Sequence, residues 1–335
     1  MDIKKIILID SGPAFSHKVN QNGIFKAFQK RKDIECKIFH QSQIGTQDFL
    51  NFIDKSNTVA FTSYPLTHHT YLIKDRRYCL SVGHDQEGAY LYNEQKHYLN
   101  HFDLFCTVDK SVYYDASSNG VLSYHMPLGV DPEVYRVIPD VEDKYKSDIL
   151  IIGTIFNLRR YYIATLNNLK GKYLIRILGN WIDRLNAINS SHITWIHDSK
   201  EFGDRLFDET IKFMNGAKII LTINRDYYPD PPKPAIDKYG NTIVATTPGR
   251  FFMEAATKTF QLIDDTRPEI YEYYEKNKEV ITFNSSNDLI EKIDYYMSHP
   301  EKRKEISEAA YNKTIKEFTW DTKIDKLLDF MRKML

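Results

Sequence analysis

Three turns that end apolar runs carry residues suited to chemistry: Asp10-Ser11-Gly12, Gly153-Thr154 with Arg159 and Arg160 just beyond, and Asp264-Asp265. At Gly153-Thr154, backbone N–H groups and two guanidinium groups gather near a helix start, an arrangement that suits a diphosphate. Asp264-Asp265 is a carboxylate pair without a third ligand nearby in sequence, so it reads as a turn or helix cap, and no metal is expected. No GxGxxG, Walker A, HExxH or GxSxG pattern occurs. Dinucleotide dehydrogenases, P-loop NTPases, zinc peptidases and serine hydrolases therefore lose their main support. Cys36, Cys79 and Cys106 are odd in number, far apart and set in apolar runs. They are expected to be buried free thiols of a reducing compartment rather than a disulfide framework or a zinc site.

The elements that must position these residues follow from length and periodicity. The 335 residues and 42% hydrophobic content suit two domains, each with its own core. With 45 Lys+Arg against 45 Asp+Glu there is no net field to hold a polyanion, which excludes a simple nucleic-acid coat. The first apolar run, Ile6–Ile9, is too short for a leader core or a membrane span, so a soluble, cytoplasmic protein with no membrane insertion is expected.

Short β-branched and aromatic runs alternate with longer amphipathic stretches, the pattern of parallel sheets covered by helices. In the first half the strands are expected at Lys5–Ile9, Glu35–Phe39, Thr58–Thr62, Tyr78–Val82, Leu104–Val108 and Val121–Tyr124. In the second they are expected at Asp148–Ile152, Tyr173–Leu178, His192–Ile196, Lys218–Ile223, Phe260–Ile263 and Val280–Phe283. Asp198 with Glu201 reads as a capping box ahead of Phe207, Ile211 and Met214, with Gly216 as the C-cap; Ser298 with Glu301 reads as a second box, before Ile306 and Ala309. Ile324, Leu327, Leu328, Met331 and Leu335 mark a closing helix that packs on the protein. Pro127–Lys146 reads as a connector, and the proline-rich stretch Asp226–Asn241 as a binding loop or surface insertion. The expected division is 1–135, 136–318 and a terminal helix at 319–335.

The order of motifs carries a resemblance. "FDLFCTVD" (Phe102–Asp109), "MPLGVDPEVY" (Met126–Tyr135) and "SDILIIGT" (Ser147–Thr154) are followed by "AKIILTINRD" (Ala217–Asp226), "GRFFMEAA" (Gly249–Ala256), "FQLID" (Phe260–Asp264) and "HPEKRKEISEAAY" (His299–Tyr311). As an ordered set they resemble the CgeB-like group of GT-B glycosyltransferases. The second half is also similar to the T-even phage DNA β-glucosyltransferase, most clearly at "RFFMEAATKTFQLID" and the Gly153–Arg160 turn.

The resemblance implies an α/β protein of two Rossmann-like doubly wound domains facing across a cleft, with a nucleotide-sugar, a UDP-sugar such as UDP-glucose, in the second domain and the acceptor on the first. It implies donor-binding roles for Gly153, Thr154, Arg159, Arg160, Asn224 and Arg250, and places Glu254 at the carboxylate that holds the ribose. An ungapped match sets Met253 there, and a one-residue helix shift restores Glu254. The glycine that follows in those families is replaced here by Lys258 or Thr259.

In "SVGHDQEGAY" both families carry an aspartate after the corresponding strand, which makes Asp85 the candidate base, with His84 beside it to orient it or act instead and Asp10 as second choice. His68 and His69 read as an exposed loop pair, and the 23 tyrosines and 19 phenylalanines mostly as core. The acceptor is then a hydroxymethylated base in phage-type DNA or a protein or envelope glycan. The DNA alternative needs a basic groove, for which Lys74-Asp75-Arg76-Arg77 and Lys30-Arg31-Lys32 are the available clusters. The same architecture also admits a catalytically silent ligand-binding protein and a nucleotide-sugar epimerase.

Overall fold

The computed structural model describes residues 2–10, 15–63, 68–88, 92, 96–155, 157–179, 193–197, 204–224, 235–236, 242–243, 249–267 and 269–335. Two units divide the chain: Met1–Asp131 with Thr247–Gly249 and Glu317–Leu335, and Pro132–Thr246 with Arg250–Lys316. The first holds β1 (Lys5–Ile9), β2 (Glu35–Phe39), β3 (Thr58–Ser63), β4 (Leu80–Asp85), β5 (Leu104–Thr107) and β6 (Ser123–His125). They form one parallel sheet in the order β2-β1-β3-β4-β5-β6. The second holds β7 (Ser147–Ile152), β8 (Ile175–Gly179), β9 (Ile193–His197), β10 (Ala217–Thr222), the two-residue pair β11 (Ala235–Ile236) and β12 (Thr242–Ile243), then β13 (Gln261–Asp264) and β14 (Ile281–Phe283). Its parallel sheet runs β14-β13-β10-β7-β8-β9.

Every residue of β3, β5 and β13 is buried, the pattern of strands covered on both faces. That is why they read as continuous apolar runs rather than alternating ones. In each sheet the strand order reverses beside the unit's first strand, between β1 and β3 and between β7 and β10, and doubly wound sheets bind ligands at the carboxyl ends next to such reversals. The expected strands are all present, shifted by up to three residues. The largest shift is at β4, which starts at Leu80 and continues through His84 and Asp85. Hydrophobicity undercounts strands whose last residues are buried and polar.

The terminal helix (Trp320–Met334) belongs to the first unit. Thr319 caps it by accepting from the Thr322 N–H, and Trp320, Ile324, Leu327, Leu328 and Met331 join Ile24, Ala27 and Phe28 of the helix Phe15–Gln29 in one core. Leu335 is half-buried. Gly23 permits this packing, since a Cβ there would overlap the Trp320 indole.

Several local expectations change. Ser298 closes the helix Ser286–Ser298, its hydroxyl donating to the Asp294 carbonyl, and the next helix starts at Pro300; proline at a first helical position needs no N–H partner, so the serine box is not used. Gly216 is the last residue of the helix Asp204–Gly216, where a Cβ would overlap the Tyr145 carbonyl, so close approach rather than a left-handed cap requires glycine. His68 and His69 open a helix that ends at Asp75 instead of lying in a loop. Asp198, Glu201 and most of Asp226–Asn241 lie outside the described residues. Cys79 and Cys106 are buried, Cys36 is half-buried and all three are unbridged; burial pushes the Cys36 and Cys79 thiols up to about 12. No helix among the described residues is long and apolar enough to cross a membrane.

Candidate functional site

The strand-order reversal of the second unit gathers most of the expected donor residues. After β7 the chain turns at Gly153, whose φ of 109° favours glycine. A Cβ there would lie 2.5 Å from Arg250 Nη2 and 2.8 Å from Arg159 Nη1, so both guanidinium groups converge on the bare turn. Arg159 is fastened by Nε to the Ile223 carbonyl at 2.9 Å and by Nη1 to the Thr154 carbonyl at 2.6 Å, and Arg250 Nη1 donates to the Ile152 carbonyl. Thus β7 and β10 hold the two cations through their terminal carbonyl groups.

Both arginines lie in the first turn of a helix, Arg159 in Asn157–Thr165 and Arg250 in Gly249–Ala256, and neither first turn contains an acidic residue. Helix N-termini carry partial positive charge and disfavour cations. Two arginines placed there, together with the helix N–H groups, form a site short of an anion.

Glu254, on the same helix as Arg250, is 1% exposed and accepts from the Thr222 hydroxyl at the end of β10. Burial pushes its carboxyl up to about 7, offset in part by the charge of Arg250, the Thr222 hydroxyl and the charge of Arg159. Met253 is half-buried and Glu254 is fully buried. Thr222 was not singled out from sequence, because a threonine closing a β-branched strand carries no signal of its own.

Two other expectations lead elsewhere. Arg160 is exposed on its helix, one residue round from Arg159, and is not part of the cluster. Asn224 is tied to the neighbouring strand end: its N–H donates to an Asp264 carboxylate oxygen, and Nδ2 reaches Asp264 Oδ1 at 3.1 Å and Thr266 Oγ1 at 3.2 Å. Asp264 therefore buttresses a strand end, its carboxyl raised by burial; Asp265 follows as a half-buried residue whose N–H donates to the Phe283 carbonyl. Among the described residues no group of three potential metal ligands occurs. Lys258 carries a φ of 62°, which identifies it as the residue in the glycine-type conformation, whereas the Thr259 hydroxyl donates to the Met214 carbonyl.

In the first unit, Asp85 ends β4 and is 1% exposed. Its carboxylate accepts from Thr107 Oγ1 at 3.0 Å and from the Glu87 and Gly88 N–H groups at 3.0 and 3.1 Å. Burial pushes it up to about 7 against those hydrogen bonds, with the charge of Asp109 adding to the rise. His84 cannot orient it. Successive strand residues point to opposite faces, and the His84 ring packs with Phe61 and Trp320 while Nε2 meets the Met126 carbonyl at 3.3 Å. Burial lowers His84 to about 4, so it is a neutral core residue. Asp10 lies at the end of β1, its N–H donating to the Phe39 carbonyl, and the Ser11-Gly12 part of that turn lies outside the described residues.

Sequence reading also missed a buried amide pair: Asn20 Nδ2 donates to Gln86 Oε1 at 2.9 Å, and among the described residues Asn20 Oδ1 and Gln86 Nε2 meet no partner. Asn20 shares a helix stripe with Ile24, Ala27 and Phe28, so it could have been found only as a polar break in that stripe.

Residues 159–329 match the glycosyl transferase-like family. The chain belongs to that family. A curated relative, spore protein CgeB of Bacillus subtilis, is 26% identical over 206 residues, covering 59% of this chain and 58% of that protein, so the match spans less than two-thirds of the relative's length. Among solved structures, a glycosyltransferase from Rickettsia africae superposes with a TM-score of 0.68 at 13% identity, over 100% of this chain and 99% of that one. Anabaena HepE in complex with UDP gives 0.64 at 10% identity, over 99% and 100%, and sucrose-phosphate synthase from Thermosynechococcus elongatus gives 0.63 at 10%, over 99% of both chains. At these identities the likeness is one of fold, the GT-B fold, in agreement with the CgeB-like resemblance read from the motif order.

Part of each basic cluster considered for a DNA groove is engaged locally, while Lys32, Arg76 and Arg77 are exposed. Lys30 and Arg31 pair with Asp321 at 2.7 and 3.0 Å, Arg31 also pairs with Asp325 at 2.7 Å, and Lys74 donates to the Phe102 carbonyl while Asp75 meets His101. Two of these basic residues thus pin the terminal helix to the first unit.

Proposed function

We propose that this chain transfers a sugar from a nucleotide-sugar donor, with UDP-glucose the first candidate, to an acceptor hydroxyl. The second unit is the donor domain and the first unit, with the terminal helix, the acceptor domain. The observation that carries the reading is the convergence of Arg159 and Arg250 on the Gly153 turn, at the strand-order reversal of the second sheet. The donor's diphosphate lies against the two guanidinium groups and the adjoining helix N–H groups. As the bond from the anomeric carbon to the phosphate oxygen breaks, its electron pair leaves on the nucleoside diphosphate, and the fixed positive charge stabilises the departing anion.

The acceptor oxygen forms the new bond to the anomeric carbon, and in an inverting transfer its proton passes to Asp85. A carboxyl raised to about 7 suits that task near neutrality. UDP as the nucleotide is supported by HepE, which was solved with UDP and with UDP-glucose. The acceptor hydroxyl belongs to a glycan, a protein or a hydroxymethylated base; the engagement of Lys30 and Arg31 by Asp321 and Asp325 removes two of the cations a DNA groove would use.

The deciding experiment is a calorimetric titration with UDP, UDP-glucose, UDP-N-acetylglucosamine, GDP-sugars and NAD. One nucleotide and its sugar form should bind the parent, and Arg250→Ala should weaken both. Equal affinity in the two proteins would remove the site assignment. Donor turnover with an acceptor separates this reading from a silent binding protein, and a changed donor formed without any acceptor would point to an epimerase.

A further inference from the structure

Stability does not explain the amide pair Asn20–Gln86. Both side chains are buried, at 4% and 3% exposure, and a single hydrogen bond of 2.9 Å joins them, while Asn20 Oδ1 and Gln86 Nε2 meet no partner among the described residues. Exchanging O and N in both amides gives the same count, one bond made and two atoms left over. Buried polar atoms without partners are destabilising, and two apolar side chains of the same shape would avoid that penalty. The pair also joins distant elements. Asn20 lies on the helix Phe15–Gln29, which follows β1, and Gln86 directly follows β4, two strands away in the order β2-β1-β3-β4 and 66 residues on in sequence.

The bond anchors the turn that holds Asp85. Asp85 Oδ1 accepts from the Glu87 and Gly88 N–H groups at 3.0 and 3.1 Å, and Oδ2 accepts from Thr107 Oγ1 at 3.0 Å. An ionised carboxyl has about four lone-pair sites, so these three donors leave one, on Oδ2. Its direction depends on where residues 86–88 hold the carboxyl group. The far end of the turn is seated by Gly88, which has a φ of 61° and stands where a Cβ would lie 2.9 Å from Asp109 Cβ. The near end is seated by the Gln86 side chain, whose partner is Asn20.

Resting on the reading of Asp85 as the base, we propose that Asn20 is a positioning residue for the transfer: through Gln86 it holds the 86–88 turn and so aims the remaining lone pair of Asp85 at the acceptor hydroxyl. Asn20 itself takes no part in the bond changes. The acceptor's proton passes to Asp85 as its oxygen bonds to the anomeric carbon.

Three variants separate this role from a merely structural one. Asn20→Leu leaves the Gln86 amide buried alone and should melt lower than the parent. Asn20→Leu with Gln86→Met removes both amides together with their unpartnered atoms, so it should melt no lower than the parent while losing the anchor. Asn20→Gln with Gln86→Asn exchanges the two amides and restores the bond.

The experiment reads amide hydrogen exchange at Glu87 and Gly88, together with steady-state release of UDP from UDP-glucose with water as acceptor, and includes Asp85→Asn as a control. In Asn20→Leu and in the apolar double variant, exchange at Glu87 and Gly88 should quicken, kcat should fall by about 10- to 100-fold as the base is misaligned, and KM for UDP-glucose should stay the same. The exchanged pair should recover both readings. Unchanged exchange at Glu87 and Gly88 in the apolar double variant would overturn the proposal. Quickened exchange with an unchanged kcat would overturn it as well, and a loss that falls on KM instead of kcat counts against it. If Asp85→Asn turns over as fast as the parent, or the parent releases no UDP, the base reading itself fails and takes the positioning role with it.

Discussion

The carboxyl ends of the two sheets are built from the same kind of strand, yet they gather opposite chemistry. In the second unit, two arginines are clamped by the carbonyl groups of Ile152, Thr154 and Ile223 over a glycine turn. In the first, a buried aspartate is surrounded by donors without formal charge, Thr107 and two backbone N–H groups, with the amide pair Asn20–Gln86 following the same strand. One end holds fixed positive charge whatever the pH near neutrality, whereas the other holds a carboxyl whose charge depends on it. A doubly wound sheet therefore determines where a site lies, and the side chains fixed to its strand ends determine whether it binds an anion or moves a proton.

Substitutions at the two ends should separate these roles. Asp85→Asn is expected to lower transfer by about 10²–10⁴-fold while leaving the donor dissociation constant unchanged; loss of donor binding in that variant would erase the contrast between the ends. Arg250→Ala should do the reverse, weakening UDP binding by about 10–100-fold as one charge-assisted contact is lost, and calorimetry reads the difference directly. Gly153→Ala tests the same end through sterics. Its Cβ would sit 2.5 Å from Arg250 Nη2 on a backbone with φ of 109°, so both stability and UDP affinity should fall, by about 1–3 kcal/mol in stability.

The pH dependence of stability sharpens the comparison. Asp85 titrates near 7 in the folded chain against an ordinary 3.8, so its contribution is fully present below about pH 4 and is lost as pH rises through about 7. Asp85→Asn should accordingly melt higher than the parent at pH 8, with the difference vanishing near pH 4. His84, lowered to about 4, acts with the opposite sign: stability is present above its ordinary 6.5 and is lost as pH falls towards 4. The smallest expected effect lies at Lys258, a non-glycine residue with φ of 62°. Replacing it with glycine should stabilise the second unit by about 1 kcal/mol in chemical denaturation, without altering donor affinity.

Much of the architecture is legible in the sequence. Parallel strands covered on both faces must be continuous apolar runs, and Lys5–Ile9 follows that pattern to the residue; the edge strand Glu35–Phe39, largely exposed, is legible from its alternating polar and apolar residues instead. The terminal helix was equally readable, because a 3.6-residue apolar stripe needs a surface to cover. Strand ends were the weak point. β4 runs on through His84 and Asp85 and β13 ends on Asp264, since residues at the carboxyl ends of such strands are polar and do not register as strand.

Sequence by itself determined the alternation of strands and helices, the Gly153 turn and the presence of Arg159, Arg250, Glu254 and Asp85, because these depend on local periodicity and residue type. Only the tertiary structure decided that Arg159 and not Arg160 joins Arg250, that His84 turns away from Asp85, and that Lys30 and Arg31 serve the terminal helix. Each of those outcomes depends on which face of a strand or helix a side chain occupies and on what lies opposite. Partners far away in sequence, such as Thr222 for Glu254 or Asp321 for Arg31, are chosen by how the elements stack, and residue spacing along the chain does not encode them.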